Sequence, residues 1–221
     1  METAMIDKAL IWNSLPDLLH GASISLQITF IAGLIGLTLG SVFAIGETSK
    51  SKMISFVISC YVAFFRGTPM LIQILFIFYV LPQFGITIPS FWTASIAIGL
   101  NSCAYISQIL RSGISAVGKG QIEAARALGF NKIKTIRYIV FPQAFRVALP
   151  ALGNEMITLI KDSSLASIIG VMELTKEGSI IRSRTYDGFS ILLAVACIYL
   201  ILTTTVSLFL KHYEKRLKRY V

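Results

Sequence analysis

Two stretches, Ala22 to Gly46 and Gly188 to Leu210, contain no charged residue. A hydrocarbon core of about 30 Å is crossed by about 20 helical residues rising about 1.5 Å each, so either stretch can span a bilayer. Composition points the same way. Charged residues make up 14% of the chain, against roughly 25% in a soluble domain, and apolar residues 55%. The class is therefore an all-α membrane protein crossing the bilayer several times.

The apolar runs divide residues 1–221 into one domain with five expected spans, at about 22–46, 53–80, 91–110, 147–171 and 188–210. Residues 1–20 are polar to amphipathic and are expected to lie at the membrane surface. They carry Glu2, Asp7, Lys8 and Asp17 in place of a basic leader region, so the first apolar run is expected to remain as an anchor. Gly33, Gly36 and Gly40 put small residues on one side of that run, which suits close helix contact. The second run is longer than a bilayer needs. It must tilt, protrude or bend, and Arg66-Gly67-Thr68-Pro69 is the expected bend, since proline removes a helical donor. Residues 81–90 form a proline-punctuated turn and 172–187 a charged loop. Cys60, Cys103 and Cys197 all sit in apolar runs and are expected as buried packing residues. With no histidine or cysteine cluster, no metal site and no cofactor are expected.

Basic residues fall unevenly on the two sides of this topology. One side holds Lys50, Lys52, Arg111, Lys119, Arg126, Lys132, Lys134, Arg137, Arg146 and the tail residues Lys211, Lys215, Arg216, Lys218 and Arg219. The other holds only Lys8, Lys176, Arg182 and Arg184. Positive charge favours the cytoplasmic face, so the N-terminus is expected outside and the C-terminus inside. The net charge of +9 then reflects topology and contact with anionic membrane lipid rather than nucleic acid.

The long polar interval, residues 111–146, holds the most informative pattern. Gln121 to Leu128 suits a short helix stopped by Gly129 in a left-handed conformation. Asn131 suits the N-cap of a second, with Ile133, Ile136, Ile139 and Val140 at helical spacing and Pro142 as its end. Ala124, Ala125 and Ala127 give the first helix a surface that another protein can approach closely. Two other motifs fail on inspection. Gly113 to Gly120 nearly spells a P-loop, but Gly120 stands where a Ser or Thr would hold magnesium, and no strand precedes it. The helix pair could also suggest a helix-turn-helix, but no packed helical domain surrounds it to present a recognition helix. An amphipathic loop that only shields the bundle remains open from periodicity alone.

Glu123-Ala124-Ala125, Gly129 and Ile139-Val140-Phe141-Pro142 resemble the Glu-Ala-Ala loop of membrane permease subunits of bacterial ABC importers. So do Phe141-Pro142-Gln143-Ala144-Phe145-Arg146, Lys161-Asp162-Ser163-Ser164-Leu165, Phe65-Arg66-Gly67-Thr68-Pro69 and Gly118-Lys119-Gly120-Gln121. The resemblance runs from about Leu18 to the C-terminus and favours the branch for polar amino acids. Phe141 stands where that family usually has Leu. It implies a type I importer bundle in the bacterial inner membrane with a cytoplasmic coupling helix. Two ATPase subunits would dock at Glu123, Ala124, Ala125, Gly129 and Pro142, hydrolysing the ATP, so the chain itself is not expected to be an enzyme. An extracytoplasmic amino-acid-binding protein would deliver substrate. Five spans cannot easily enclose a path, so a second permease subunit, identical or similar, is expected. Cystine, glutamine, histidine and arginine are the candidate cargoes.

The fourth run carries Glu155, Lys161 and Asp162. Ionisable groups at membrane depth usually face a bundle interior or a wet path. These three are candidates for the substrate path; an ion pair that only packs the bundle is the alternative. Arg66 could meet a carboxylate in that path or extend to a surface. The competing functional classes are an ion-coupled secondary transporter or channel, separated by ATP-dependent uptake, and a membrane-anchored DNA-binding regulator, separated by salt-sensitive DNA binding.

Overall fold

The computed structural model describes residues 6–47 and 51–218. Lys50 and Arg219, both counted in the charge asymmetry, lie outside the described residues. The helices are α1 (Lys8–Glu47), α2 (Lys52–Gly67), α3 (Met70–Tyr79), α4 (Ser90–Ser115), α5 (Lys119–Ala127), α6 (Lys132–Thr135), α7 (Phe141–Asp162), α8 (Leu174–Thr185) and α9 (Gly188–Lys218). Short 3-10 segments cover Leu81–Phe84 and Ser163–Ile169, and a π-helical turn covers Ile136–Val140. Among the described residues, α1, α4 and α9 are long and apolar enough to cross a membrane. The pair α2 and α3 makes a fourth if it is one broken span. At 22 residues α7 has sufficient length, but Arg146, Glu155, Lys161 and Asp162 keep it from being as apolar.

The chain folds as two compact units. One contains residues 6–34, 68–99 and 156–206. Its core joins Ile28, Ala32, Ile74, Ala97, Ile98 and Leu159, while a second cluster joins Leu18, Leu174, Ile181, Ile191 and Val195. The other contains residues 35–47, 51–67, 100–155 and 207–218. Here Ile58, Val62 and Ala104 pack with Phe43, Tyr61 and Phe65. The glycine stripe of α1 is used for close approach in this unit: a Cβ at Gly36 would lie 2.9 Å from Ser102 Oγ, and one at Gly40 3.0 Å from Ile106.

Several sequence expectations are corrected. Residues 8–20 are not separate from the first span; α1 runs unbroken through Pro16, because Leu10, Ile11, Leu15 and Leu18 share an apolar face that packs on α8 and α9. Its 40 residues far exceed a bilayer's thickness, so part of it must protrude. Pro142 does not end a helix. Phe141 N–H donates to the Ile136 carbonyl five residues back, and this widened turn takes the helix past a residue with no N–H to give. The apolar run expected at 147–171 lies in α7, which starts at Phe141 and ends at Asp162, and in the 3-10 segment that follows. Of the cysteines only Cys103 is buried; Cys60 and Cys197 face outward from their helices.

The expected loop at 172–187 is mostly the helix α8. Leu174, Gly178 and Ile181 recur at helical spacing and are buried. Its N-cap is Glu173, a fully buried residue. The carboxylate accepts from the backbone N–H groups of Thr175 and Lys176 at 2.9 and 2.8 Å. It also accepts from Tyr199 Oη at 2.9 Å and Ser25 Oγ at 3.2 Å, so it ties α8 to α9 and α1. Burial pushes the Glu173 carboxyl up from its ordinary range, and the four donors draw it back. Gln at this position offers an NH2 where backbone donors need an acceptor. Glu173→Gln should destabilise the permease by about 1–3 kcal/mol, the cost of buried donors left unpaired, seen as a lower melting temperature in detergent. An unchanged melting temperature would show that the carboxylate does not hold α8.

Candidate coupling loop and substrate path

The polar interval begins where α4 ends at Ser115. Gly118 is extended, at φ −58° and ψ 136°, and α5 starts at Lys119. One face of α5 is anchored: Ala125 is buried, and Ile122 packs on Val117, Val140 and Ala144. The opposite face leaves Glu123, Ala124 and Ala127 exposed. Gly129 takes φ 82°, as the left-handed stop requires, and Phe130 N–H returns to the Ala125 carbonyl at 3.0 Å. A Cβ at Gly129 would meet nothing within 4 Å in this chain, so the need for glycine here is conformational. Asn131 Oδ1 accepts from Lys134 N–H at 2.9 Å as the expected N-cap. Beyond α6 the π turn leads directly into α7, so the second helix is the start of a long one and not a free recognition helix. The near-P-loop runs from the end of α4 into α5, a helix-to-helix connection with no strand. Pro142 is exposed near the start of α7.

Large apolar side chains are also exposed on this loop. Leu128 is 79% and Ile133 75% accessible. An exposed apolar pair beside a carboxylate, on a backbone fixed by a positive φ and an N-cap, is a surface suited to a protein partner.

The residues expected along a substrate path are distributed between the two units. Arg66, at the end of α2, lies over the Tyr105 ring, 5.3 Å from its centroid. Both line a cavity of about 270 Å³ with Gln108, Ser112 and Ala151. Glu155 is half-buried and accepts from Ser102 Oγ at 2.8 Å, which joins α7 to α4. In the other unit Lys161 is exposed and Asp162, the last residue of α7, is half-buried. The helix gives way there to the 3-10 segment. Ser163 Oγ bonds the Ile160 carbonyl and Ser167 Oγ the Ser164 carbonyl, both at 2.7 Å, and Gly170 closes the 3-10 segment at φ 82°.

Sequence reasoning missed Glu47. Its side chain is 1% exposed and lies 3.3 Å from Arg111. Gln108 Nε2 donates to it at 2.9 Å. A carboxylate at a helix C-terminus is electrostatically disfavoured, so these donors hold it in place. The only trace in sequence was an acid at the end of an uncharged run.

Residues 36–219 match the family of binding-protein-dependent transport system inner membrane components. The L-cystine transport system permease protein TcyB of Bacillus subtilis is 40% identical over 207 residues, 93% of this chain and 88% of that protein. The glutamine transport system permease protein GlnP of Escherichia coli K12 is 37% identical over 214 residues, 96% and 98%. The crystal structure of an amino acid ABC transporter with histidines superimposes with a TM-score of 0.90 at 40% identity, covering 96% of this chain and 99% of that one. The chain belongs to the family of inner-membrane permease components of binding-protein-dependent transport systems.

Proposed function

We propose that this permease forms the membrane path for a polar amino acid. Importers of its family work with ATPase subunits, on which ATP is hydrolysed, and with a substrate-binding protein. The relatives named above carry cystine and glutamine, and their likeness spans nearly the whole chain. That likeness is the observation that carries the reading. The chain acts as one domain crossing the membrane five times, with α7 as a span, its N-terminus outside and its C-terminus inside. Two permease subunits, identical or similar, pair to enclose the path, and two ATPase subunits dock beneath them.

Glu123, Ala124, Gly129 and Pro142 make the coupling surface, and buried Ala125 anchors α5 behind it. Glu123 offers a carboxylate for a charge-assisted contact, and the exposed alanines allow close approach. ATP binding draws the ATPase pair together, and the docked loops turn that motion into a switch between inward- and outward-facing states. Lys161 and Asp162 supply both signs of charge where α7 loosens, as a zwitterion requires; Arg66 and Glu155 line the path elsewhere.

Gly129 separates docking from local folding. Gly129→Ala in left-handed backbone should cost about 1–2 kcal/mol, whereas Asn tolerates that conformation. If the ATPase must approach this corner, Gly129→Asn assembles into the membrane normally but lowers transport about tenfold or more, ~1.4 kcal/mol in barrier. Wild-type uptake by Gly129→Asn would leave the glycine with a conformational role only.

The proposed cargo is tested in vesicles holding permease and ATPase, with binding protein outside and ATP inside. Uptake should require ATP and the binding protein and be competed by one or a few of cystine, glutamine, histidine and arginine. Lys161→Met or Asp162→Asn should lose uptake or change the competing amino acid while ATPase assembly persists. Full activity in the exchanged pair, Lys161→Asp with Asp162→Lys, would instead mark a packing ion pair.

A further inference from the structure

The corner between α8 and α9 carries features that neither the path nor the coupling loop uses. Tyr186 holds φ 56°, the one non-glycine residue with a positive φ among the described residues. Glycine or asparagine would take this conformation with less strain. The tyrosine is 93% exposed, so packing within the chain does not offset that strain. The turn is nevertheless firmly fixed. Tyr186 N–H donates to the Arg182 carbonyl at 2.9 Å, and Thr185 Oγ1 to the Ile181 carbonyl at 2.9 Å. Asp187 Oδ1 caps α9 by accepting from Ser190 N–H at 2.9 Å, and its carboxyl is held below the usual range by that serine. The far end of α8 is held by buried Glu173. A strained, exposed aromatic on a rigid support fits a contact made with another molecule.

The charge around it is also unusual. Arg182 and Arg184 are exposed beside the tyrosine. Arg184 shares its field with Glu177, which also faces Asp17 and His20. On the orientation proposed above, the extracytoplasmic side holds only Lys8, Lys176, Arg182 and Arg184, and three of these are on α8. Topology selects against basic residues on that side, so a cluster there needs another reason. Arginine and tyrosine are the residues that most often anchor protein interfaces.

We propose that Arg182, Arg184 and Tyr186 form a docking site for an acidic face of the soluble binding protein on which this family depends. Two arginines would steer and orient the incoming protein, and the tyrosine would supply a rigid contact. The proposal rests on the N-out orientation given under Proposed function.

The probe is the cognate amino-acid-binding protein, taken as the one that stimulates the ATPase of the wild-type importer in nanodiscs. Arg182→Glu with Arg184→Glu should raise its half-saturating concentration about tenfold or more and flatten the salt dependence. The ATPase rate without binding protein should not change. Tyr186→Gly relieves the backbone, so the permease should melt no lower than wild type, yet half-saturation should still rise. A purely structural tyrosine would not give that combination. Unchanged half-saturation in both variants overturns the proposal. So does a defect that follows anionic lipid content rather than binding-protein concentration, or a cross-linker at position 186 that captures only a second permease copy. A cysteine at exposed Ser183 fixes the side. Outside labelling by an impermeant maleimide with unaltered half-saturation refutes the docking site alone, whereas labelling only from inside refutes the orientation.

Discussion

A backbone amide or carbonyl that loses its helical partner in an apolar bundle has no water to turn to, and the cost of leaving it unpaired is large. Two irregular segments among the described residues are arranged around that constraint. At the break before Pro69, Gln73 Nε2 donates to the Thr68 carbonyl and hydroxyl at 3.1 and 2.8 Å. Asn101 Nδ2 takes up the Phe65 carbonyl at 3.0 Å. Where α7 gives way to a 3-10 segment, two serine hydroxyls bond nearby carbonyls. Polar side chains thus serve both departures from ideal helix, which fall at or beside Arg66, Lys161 and Asp162, the residues proposed to face the path.

The same constraint governs charge. Among the described residues Glu47 and Glu173 are the buried acids, and each accepts from donors on other helices. A buried carboxylate with several donors fixes helices in one arrangement, because moving any donor leaves a charge unpaired. Exposed groups on the coupling loop and on the α8–α9 corner are left outside these networks. The protein thus separates buried charges that hold helices together from exposed charges that the proposals above assign to partners.

Much of this was legible in sequence because the signals are local. Uncharged runs marked α1, α4 and α9. Gly129 and Asn131 announced the stop and start of two short helices, and Pro69 marked a break. What escaped depended on distant contacts. Nothing near Pro142 reveals the π turn that carries a helix through it. Glu173 looked like part of a charged loop because its donors, Ser25 and Tyr199, come from other helices, although the spacing of Leu174, Gly178 and Ile181 did hint at α8. Glu155 was read for its charge; its contact with Ser102 on α4 appears only once the helices are packed.

The central claim is that the α5–Gly129–α6 turn is the joint through which ATP hydrolysis on another subunit moves this chain. Leu128 stands on that turn with 79% of its surface exposed. A photo-cross-linking residue at position 128 in the assembled importer tests the claim most directly. The account predicts an adduct with the ATPase subunit whose yield changes when ATP is bound. Adducts with lipid alone, and none with the ATPase in any nucleotide state, would contradict it.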